Sequence, residues 1–323
     1  MGSSLGTAET VRHPDDGPEF PDRLETRTVG YDVLGVGLTL TSNVPQVLDL
    51  IDATYAAFRV PGTSRSDAMP AAPERPPAAE FRLIDAGDDG YRIESPVGRS
   101  ALVRSPGDGA IAILEAMVGA VVAGLHRQGL LAVHAGAVSG PRGAVVVAGR
   151  SGQGKSTLVL GLVRRGFGLL SDELAILDPS DGRVHPYGRA IHVRPATLGL
   201  IPELAPIASR PLITLGGGTE WSVAPAEAAG LLGGRLGEAL PLAAVVLLDG
   251  QPDPVAQPRL RDEFPAVAAI ELLRSTWAAS ADFSGTLEAV GGMLAGVPCL
   301  RLTVGQFDAT VDALVARLGS ADG

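Results

Sequence analysis

At 323 residues, the chain is long enough for two domains, each with its own apolar core. Hydrophobic residues make up 46% of it, which predicts a globular fold. The formal net charge of −10 argues against nucleic acid or an anionic membrane surface as the main partner, because both favour basic proteins. We therefore expect no nucleic-acid partner and no membrane partner.

The remaining bulk features concern the compartment. A single cysteine, Cys299, excludes an internal disulfide, and no cysteine and histidine spacing resembles a structural zinc site. The first thirty residues have neither the basic start nor the apolar stretch of a signal peptide. The longest apolar run, residues 110–125, is interrupted by Glu115 and is short for a membrane span. These features predict a soluble, cytoplasmic protein.

The amino-terminal third is predicted to hold a tail and a smaller domain. Residues 1–28 are rich in Asp, Glu, Pro and Gly, a composition typical of disordered segments. Residues 29–128 are predicted to form an α+β domain that binds the acceptor or a partner. Its apolar patterns indicate strands at 33–40, 81–84, 91–94 and 101–104, helices at 44–58 and 110–126, and a proline-rich loop at 61–79.

Residues 129–323 are predicted to form an α/β domain, because strand and helix patterns alternate along them. The predicted strands are 131–138, 144–148, 169–170, 175–177, 190–193, 243–248 and 299–303. The predicted helices are 156–165, 265–274, 286–294 and 307–318.

The clearest chemical signal is a P-loop, or Walker A motif, between an apolar strand and a helix. It consists of Gly149, Arg150, Ser151, Gly152, Gln153, Gly154, Lys155 and Ser156, with Thr157 following. The glycines allow backbone amides to face phosphate oxygens, and the helix N-terminus adds a positive dipole end. Lys155 is expected to hold the phosphates of ATP, and the Ser156 hydroxyl to bind Mg²⁺. The alternative is a glycine-rich turn without a ligand.

Composition supports this interpretation of the P-loop. The chain has 25 arginines and one lysine, and that lysine is Lys155. A compact ammonium on a slender stem reaches into a small space that a planar guanidinium does not fit. The lone lysine therefore stands where a phosphate site requires one.

Two adjacent acids follow the P-loop helix in Ser171-Asp172-Glu173. Asp172 comes 17 positions after Lys155 and directly after an apolar strand. We expect this strand to neighbour the P-loop strand, so that the acids lie beside the phosphates. One carboxylate would accept a hydroxyl proton and the other would support Mg²⁺. The alternative is that Asp172 caps a turn and Glu173 is solvated.

His134 lies among small apolar residues on the strand that precedes the P-loop strand. On spacing alone, a hydrogen-bonded core histidine is favoured over a functional one.

His134, the hairpin after it, the P-loop and the segment Arg164-Arg165-Gly166-Phe167-Gly168-Leu169-Leu170-Ser171-Asp172-Glu173 together resemble the HPr kinase/phosphorylase catalytic domain. That family shares its P-loop arrangement with phosphoenolpyruvate carboxykinases. The resemblance spans residues 131–179 and extends more loosely to about 318. It implies that Asp172 is the general base for an acceptor serine, that Glu173 supports the metal, and that His134 helps set the protonation state of the catalytic acid.

The sequence also departs from this family. The family carries a metal-binding glutamate before Ile-Arg-Gly, whereas this chain has Ile191-His192-Val193-Arg194-Pro195. The histidine weakens the Mg²⁺ assignment and the expectation of phosphorylase activity. The amino-terminal domain also differs, so HPr is not the implied acceptor.

Other residues compete for these roles. Asp249 ends an apolar strand and is a candidate Mg²⁺ ligand, although it also suits a plain turn with Gly250. Arg259 and Arg261 are candidates for contacting the transferred phosphoryl group. The glycine-rich segment 216–219 is too unspecific a pattern to indicate a second phosphate loop.

The sequence thus predicts a kinase that transfers the γ-phosphoryl group of ATP to a hydroxyl. A serine of a peptide or protein is the first acceptor class, and a small-molecule alcohol, as in shikimate kinase-type enzymes, is the second. A nucleotide-gated binding module or slow ATPase is the alternative from another class. A homo-oligomer is left open.

Overall fold

The computed structural model describes residues 26–62, 79–96, 100–215, 218–276 and 283–319. Residues 1–25 of the predicted tail, residues 63–78 of the predicted loop and Gly216 and Gly217 lie outside the described residues. The described chain is a mixed α/β fold with three sheets.

A five-stranded sheet comprises the amino-terminal strands in chain order. Its strands are β1 Arg27–Val33, β2 Val36–Ser42, β3 Ala79–Asp85, β4 Tyr91–Glu94 and β5 Ala101–Val103. Neighbouring strands pair antiparallel except β2 and β3, which run parallel. Helices α1 (Pro45–Tyr55) and α2 (Pro106–Arg127) pack against this sheet.

The start of this sheet corrects the sequence prediction. Strand β1 begins at Arg27, inside the predicted tail, and the predicted strand 33–40 is instead the turn and part of both arms of a hairpin. Leu34 and Gly35 take positive φ angles of 51° and 84°, which suit a tight hairpin turn. A leucine at such a position gives no turn signal in the sequence.

The larger sheet contains most strands after residue 130. They are β6 Leu131–Gly140, β7 Gly143–Ala148, β8 Gly168–Ser171, β9 Leu174–Asp178, β10 Arg183–His185, β14 Arg235–Leu236, β15 Leu240–Asp249, β16 Arg259–Asp262 and β17 Cys299–Thr303. A small sheet is formed by β11 Ile191–Val193, β12 Ile213–Leu215 and β13 Gly218–Val223. The remaining helices are α3 Lys155–Arg164, α4 Pro195–Leu200, α5 Pro225–Leu231, α6 Pro265–Arg274, α7 Phe283–Met293 and α8 Phe307–Leu318.

Strand order in the larger sheet determines what lies beside the P-loop. Strand β7 pairs with β6 on one side and, in parallel, with β15 on the other, and β17 follows β15. Strand β8 pairs with β6 and with β14. The expectation that the strand before Asp172 neighbours the P-loop strand is therefore wrong, because β6 lies between β8 and β7.

Apolar side chains from both predicted domains share one core cluster. Residues of β1 to β4, α1 and α2 pack with Ala132, Leu174, Ile176 and Tyr187 from beyond residue 129. Packing is thus continuous across residues 128 and 129, and the division into domains there stays a prediction.

Among the described residues, α2 is the one helix long and apolar enough to cross a membrane by length and composition. Within its most apolar window, 61% of the residues are buried in the protein. Core burial therefore accounts for its apolar composition.

Helix α2 offers a matched test of this packing. A Cβ atom at Gly124 would lie 2.6 Å from Val36 Cγ2, whereas one at Gly119 would meet no atom within 4 Å. We expect Gly124→Ala to destabilise the fold by about 1–3 kcal/mol through overpacking. Gly119→Ala, in the same helix, should stabilise it by about 0.5–1 kcal/mol. Thermal unfolding checks both, and equal effects would contradict the packing of α2 on β2.

Candidate functional site

The segment predicted to be a P-loop joins β7 to α3, so it has the strand and helix context of the prediction. Gly152 and Gly154 have φ angles of 83° and 92°, a backbone region that favours glycine. At Gly149, a Cβ atom would approach Gln153 Oε1 and Leu248 Cβ to 2.8 Å. The loop therefore requires glycine at these three positions, because a side chain would clash with neighbouring atoms or strain the backbone.

The Gln153 side chain fastens the loop to the sheet. Its Oε1 accepts a hydrogen bond from the Arg150 amide, and its Nε2 donates to the Gly250 carbonyl at 2.9 Å. Gly250 follows β15, the parallel neighbour of β7. The loop is thus held at the carboxyl end of two adjacent strands.

Lys155 is buried at the first turn of α3. Its Nζ donates to the carbonyls of Gly149 at 2.9 Å and Arg150 at 3.2 Å. Burial lowers the pKa of Lys155, and the nearby Asp172 and Glu173 carboxylates oppose that shift. The ammonium lies within the curve of the loop, where a phosphate oxygen would meet it.

Asp172 and Glu173 form a tight turn between β8 and β9. The Ser171 hydroxyl oxygen accepts hydrogen bonds from the amides of Glu173 at 3.2 Å and Leu174 at 3.1 Å. The Asp172 carboxylate interacts with the Ser156 hydroxyl of α3, and α3 packs closely on β6. A Cβ atom at Gly136 of β6 would lie 2.5 Å from Val159 Cγ2 of α3. Close packing of α3 on β6 at Gly136 shortens the distance between the acids and α3, although β6 separates β8 from β7.

The pKa of Asp172 is raised to about 7, first by burial and then by the neighbouring Glu173 carboxylate. Arg189 and a hydrogen bond from the Ser156 hydroxyl partly oppose the rise. A carboxylate with this pKa accepts and releases a proton near neutral pH, as a general base does.

Glu173 pairs with a different group, the buried guanidinium of Arg189. Burial by itself lowers the pKa of Arg189, but Glu173 and other acidic neighbours raise it above its usual value. The guanidinium carbon of Arg189 also lies 6.0 Å from the centre of the Tyr55 ring in α1. The adjacent acids thus have unlike surroundings.

His134 of β6 lies close to the same charges. Burial and the Lys155 ammonium lower its pKa, while Glu173 opposes the shift. The imidazole is therefore mainly neutral at neutral pH.

A cavity of about 430 Å³ brings most of the predicted site residues together. It is lined by His134, Ser151, Gly152, Gly154, Lys155, Ser156, Thr157, Asp172 and Glu173. The remaining predicted P-loop residues, Gly149, Arg150 and Gln153, line an adjoining cavity of about 860 Å³. Ser151 and His134 contribute to both cavities.

The first cavity also contains residues without an assigned role in the sequence prediction. Glu220 is buried, accepts a hydrogen bond from Arg194 Nε at 2.9 Å, and lies 3.6 Å from His192 Nδ1. Burial and Arg189 lower the pKa of His192, against the opposing effect of Glu173 and Glu220. In its strand, Glu220 shares its alternating phase with Gly218 and Ser222 rather than with apolar residues, so the sequence pattern gave no signal for it.

The competing candidates lie elsewhere. Asp249 is the last residue of β15, the strand next to β7, and it lines the second cavity, apart from Asp172 and Glu173. Arg259 and Arg261 lie on β16 and line neither cavity.

Comparison with known proteins adds little to this geometry. No protein-family model matches the chain, and no curated protein matches it significantly. Among solved structures, the chain is similar to the Hpr(Ser) kinase/phosphatase from Coxiella burnetii, with a TM-score of 0.28 and 16% identity. The match covers 58% of this chain and 94% of that one. A TM-score this low carries no argument, so the family resemblance stays an expectation from the sequence motifs.

The raised pKa of Asp172 generates a stability test. Its folded pKa of about 7 exceeds the unfolded value of about 3.9, so ionisation of Asp172 costs stability as the pH rises through this interval. We expect Asp172→Asn to match the wild type in Tm near pH 4 and to exceed it by a few degrees at pH 8.

Glu263 supplies the control of opposite sign. Its hydrogen bond from Arg301 lowers its pKa, so its contribution to stability is present above the unfolded pKa. Glu263→Gln should therefore lower Tm at pH 8. If the Tm difference between Asp172→Asn and the wild type were the same at pH 4 and pH 8, this would contradict the raised pKa of Asp172.

Proposed function

We propose that the protein is an ATP-dependent kinase that transfers the γ-phosphoryl group to a hydroxyl, with a serine of a peptide or protein as the first acceptor class. One observation supports this most: Asp172, with a pKa of about 7, lines the same cavity as Lys155 and Ser156 of the P-loop. A proton acceptor beside a phosphate site is what a phosphotransferase requires.

The residues fit ATP and Mg²⁺. The P-loop amides and Lys155 offer positive groups to the phosphates, and the Ser156 hydroxyl and Glu173 carboxylate are oxygen ligands of the kind Mg²⁺ prefers. When bound, Mg²⁺ supplies charge neutralisation at the phosphates.

In the proposed reaction, Asp172 accepts the proton of the acceptor hydroxyl. The acceptor oxygen forms a bond to the γ-phosphorus, the bond from that phosphorus to the bridging oxygen breaks, and ADP leaves. Neutral His134 adds no positive charge to the cavity that it shares with Asp172. Arg189 holds Glu173 in place beside it.

Replacement of Asp172 tests phosphoryl transfer separately from ATP binding. Asp172→Asn removes the proton acceptor but keeps the shape, so transfer of labelled phosphate to an acceptor found in a peptide and metabolite screen should fall at least about 100-fold. ATP binding, measured by calorimetry, should stay within a few-fold of wild type. Lys155→Met should instead weaken ATP binding about tenfold or more. Retained transfer in Asp172→Asn would remove Asp172 from the role of base.

The metal assignment has its own test. Glu173→Gln should reduce the dependence of ATP affinity on Mg²⁺, because it removes a proposed ligand of the ion. Asp249→Asn is the matched control in the second cavity and should leave that dependence unchanged. The reverse pattern would assign the metal role to Asp249.

A nucleotide-gated binding module is the second candidate, and the ion pair of Glu173 with Arg189 favours it. In this structure the proposed metal ligand is engaged by a cation that also contacts Tyr55 of α1. Nucleotide-dependent capture of a partner without turnover would support the module, whereas phosphate transfer that appears only with an acceptor supports the kinase.

A further inference from the structure

The cavity at the P-loop has a charged wall and an apolar wall. The charged wall holds Asp172, Glu173, His192, Arg194 and Glu220. The apolar wall holds Pro252 and Pro254 from the segment after β15, and Val304, Gly305 and Phe307 from the segment after β17.

Strand order places these walls on opposite sides of the P-loop. The loop follows β7, the acids follow β8 on the side of β6, and the apolar segments follow β15 and β17 on the other side. A linear ligand whose phosphates lie on the P-loop amides therefore has one end near the acids and the other near the apolar wall.

The apolar wall is built from two segments joined by backbone hydrogen bonds. The Asp253 amide donates to the Val304 carbonyl at 3.1 Å, and the Gln306 amide donates to the Ala256 carbonyl at 2.8 Å. At Gly305, a Cβ atom would lie 2.4 Å from the Ala256 carbonyl oxygen, which shows how closely the segments pack. The backbone of the wall is thus held by hydrogen bonds between its own two segments.

Val304 and Phe307 of this wall pack against the hydrophobic core, whereas its two prolines leave apolar surface open at the cavity. Pro252 and Pro254 are exposed although they are apolar. Phe307 is buried in the core, and the guanidinium carbon of Arg164 lies 5.3 Å from its ring centre. Apolar surface at the mouth of a polar cavity suits a flat, weakly polar ring.

We propose that the nucleobase of the bound nucleoside triphosphate lies against Pro252, Pro254, Val304 and Phe307. This inference rests on the proposed function, because the reactive γ-phosphate must point toward Asp172 and so directs the nucleoside to the opposite wall. The cavity, at about 430 Å³, lies within the size range of small-molecule sites, about 300–1,000 Å³. The charged wall is then left for the acceptor, with Arg194 and His192 at its edge.

Calorimetry with two probes tests the assignment: ATP, which has a base, and inorganic tripolyphosphate, which has none, both with Mg²⁺. Val304→Trp fills the space of the base, so it should weaken ATP binding about tenfold or more while tripolyphosphate stays within about twofold. Val255→Trp is the matched control. Val255 lies in the same segment as the prolines, is 88% exposed and lines neither cavity.

The outcomes separate the two proposals. Wild-type ATP affinity in Val304→Trp, or equal wild-type affinities for ATP and tripolyphosphate, would overturn the nucleobase assignment and leave the phosphate site standing. Absence of binding for both probes in the wild type would overturn the proposed function itself. If Val304→Trp unfolds, judged by circular dichroism, the double variant Pro252→Ala with Pro254→Ala should show the same selective loss of ATP affinity. Unchanged affinity of this double variant for both ATP and tripolyphosphate would reject the inference.

Discussion

The ion pair between Glu173 and Arg189 is the interaction on which the site depends. Two adjacent carboxylates in a partly buried cavity are unfavourable unless cations compensate their lost hydration. Arg189 pairs directly with Glu173, whereas Asp172 receives less compensation and its pKa rises to about 7. One cation thus gives two neighbouring acids different surroundings: Glu173 is ion-paired, and Asp172 exchanges a proton near neutral pH.

Backbone packing brings these charges to the P-loop across an intervening strand. Strand β6 separates β7 from β8, so side chains at the two strand ends begin farther apart than neighbours would. The glycine at position 136 allows α3 to pack closely on β6, and the hydroxyl of Ser171 tightens the turn that carries the acids. Gly136 and the Ser171 hydroxyl therefore bring the acids near the P-loop, although β8 is not the direct neighbour of β7 that the sequence pattern suggested.

The contrast shows which features the sequence could predict. The loop between β7 and α3 was predicted from its glycine spacing. Helix 265–274 was predicted from its starting proline and apolar period, and helix 307–318 from its apolar period. Arg189 and Glu220 gave no such signal. Glu220 reaches Arg194 because β11 pairs with β13, with Val193 opposite Trp221, and that register depends on the whole sheet rather than on nearby residues.

The amino-terminal helix α1 belongs to the same electrostatic arrangement. The Ala190 amide, next to Arg189, donates to the Thr54 carbonyl at 2.9 Å, and the Tyr55 ring faces the guanidinium. The position of Arg189 is therefore set partly by α1 and partly by Glu173. The pKa of Asp172 responds to the charges of Arg189 and Glu173. A displacement of α1 that moved Arg189 would therefore change the proton affinity of the proposed base, without contact between α1 and the P-loop. The amino-terminal segment is in this sense part of the site, and a comparison of P-loop residues alone would miss it.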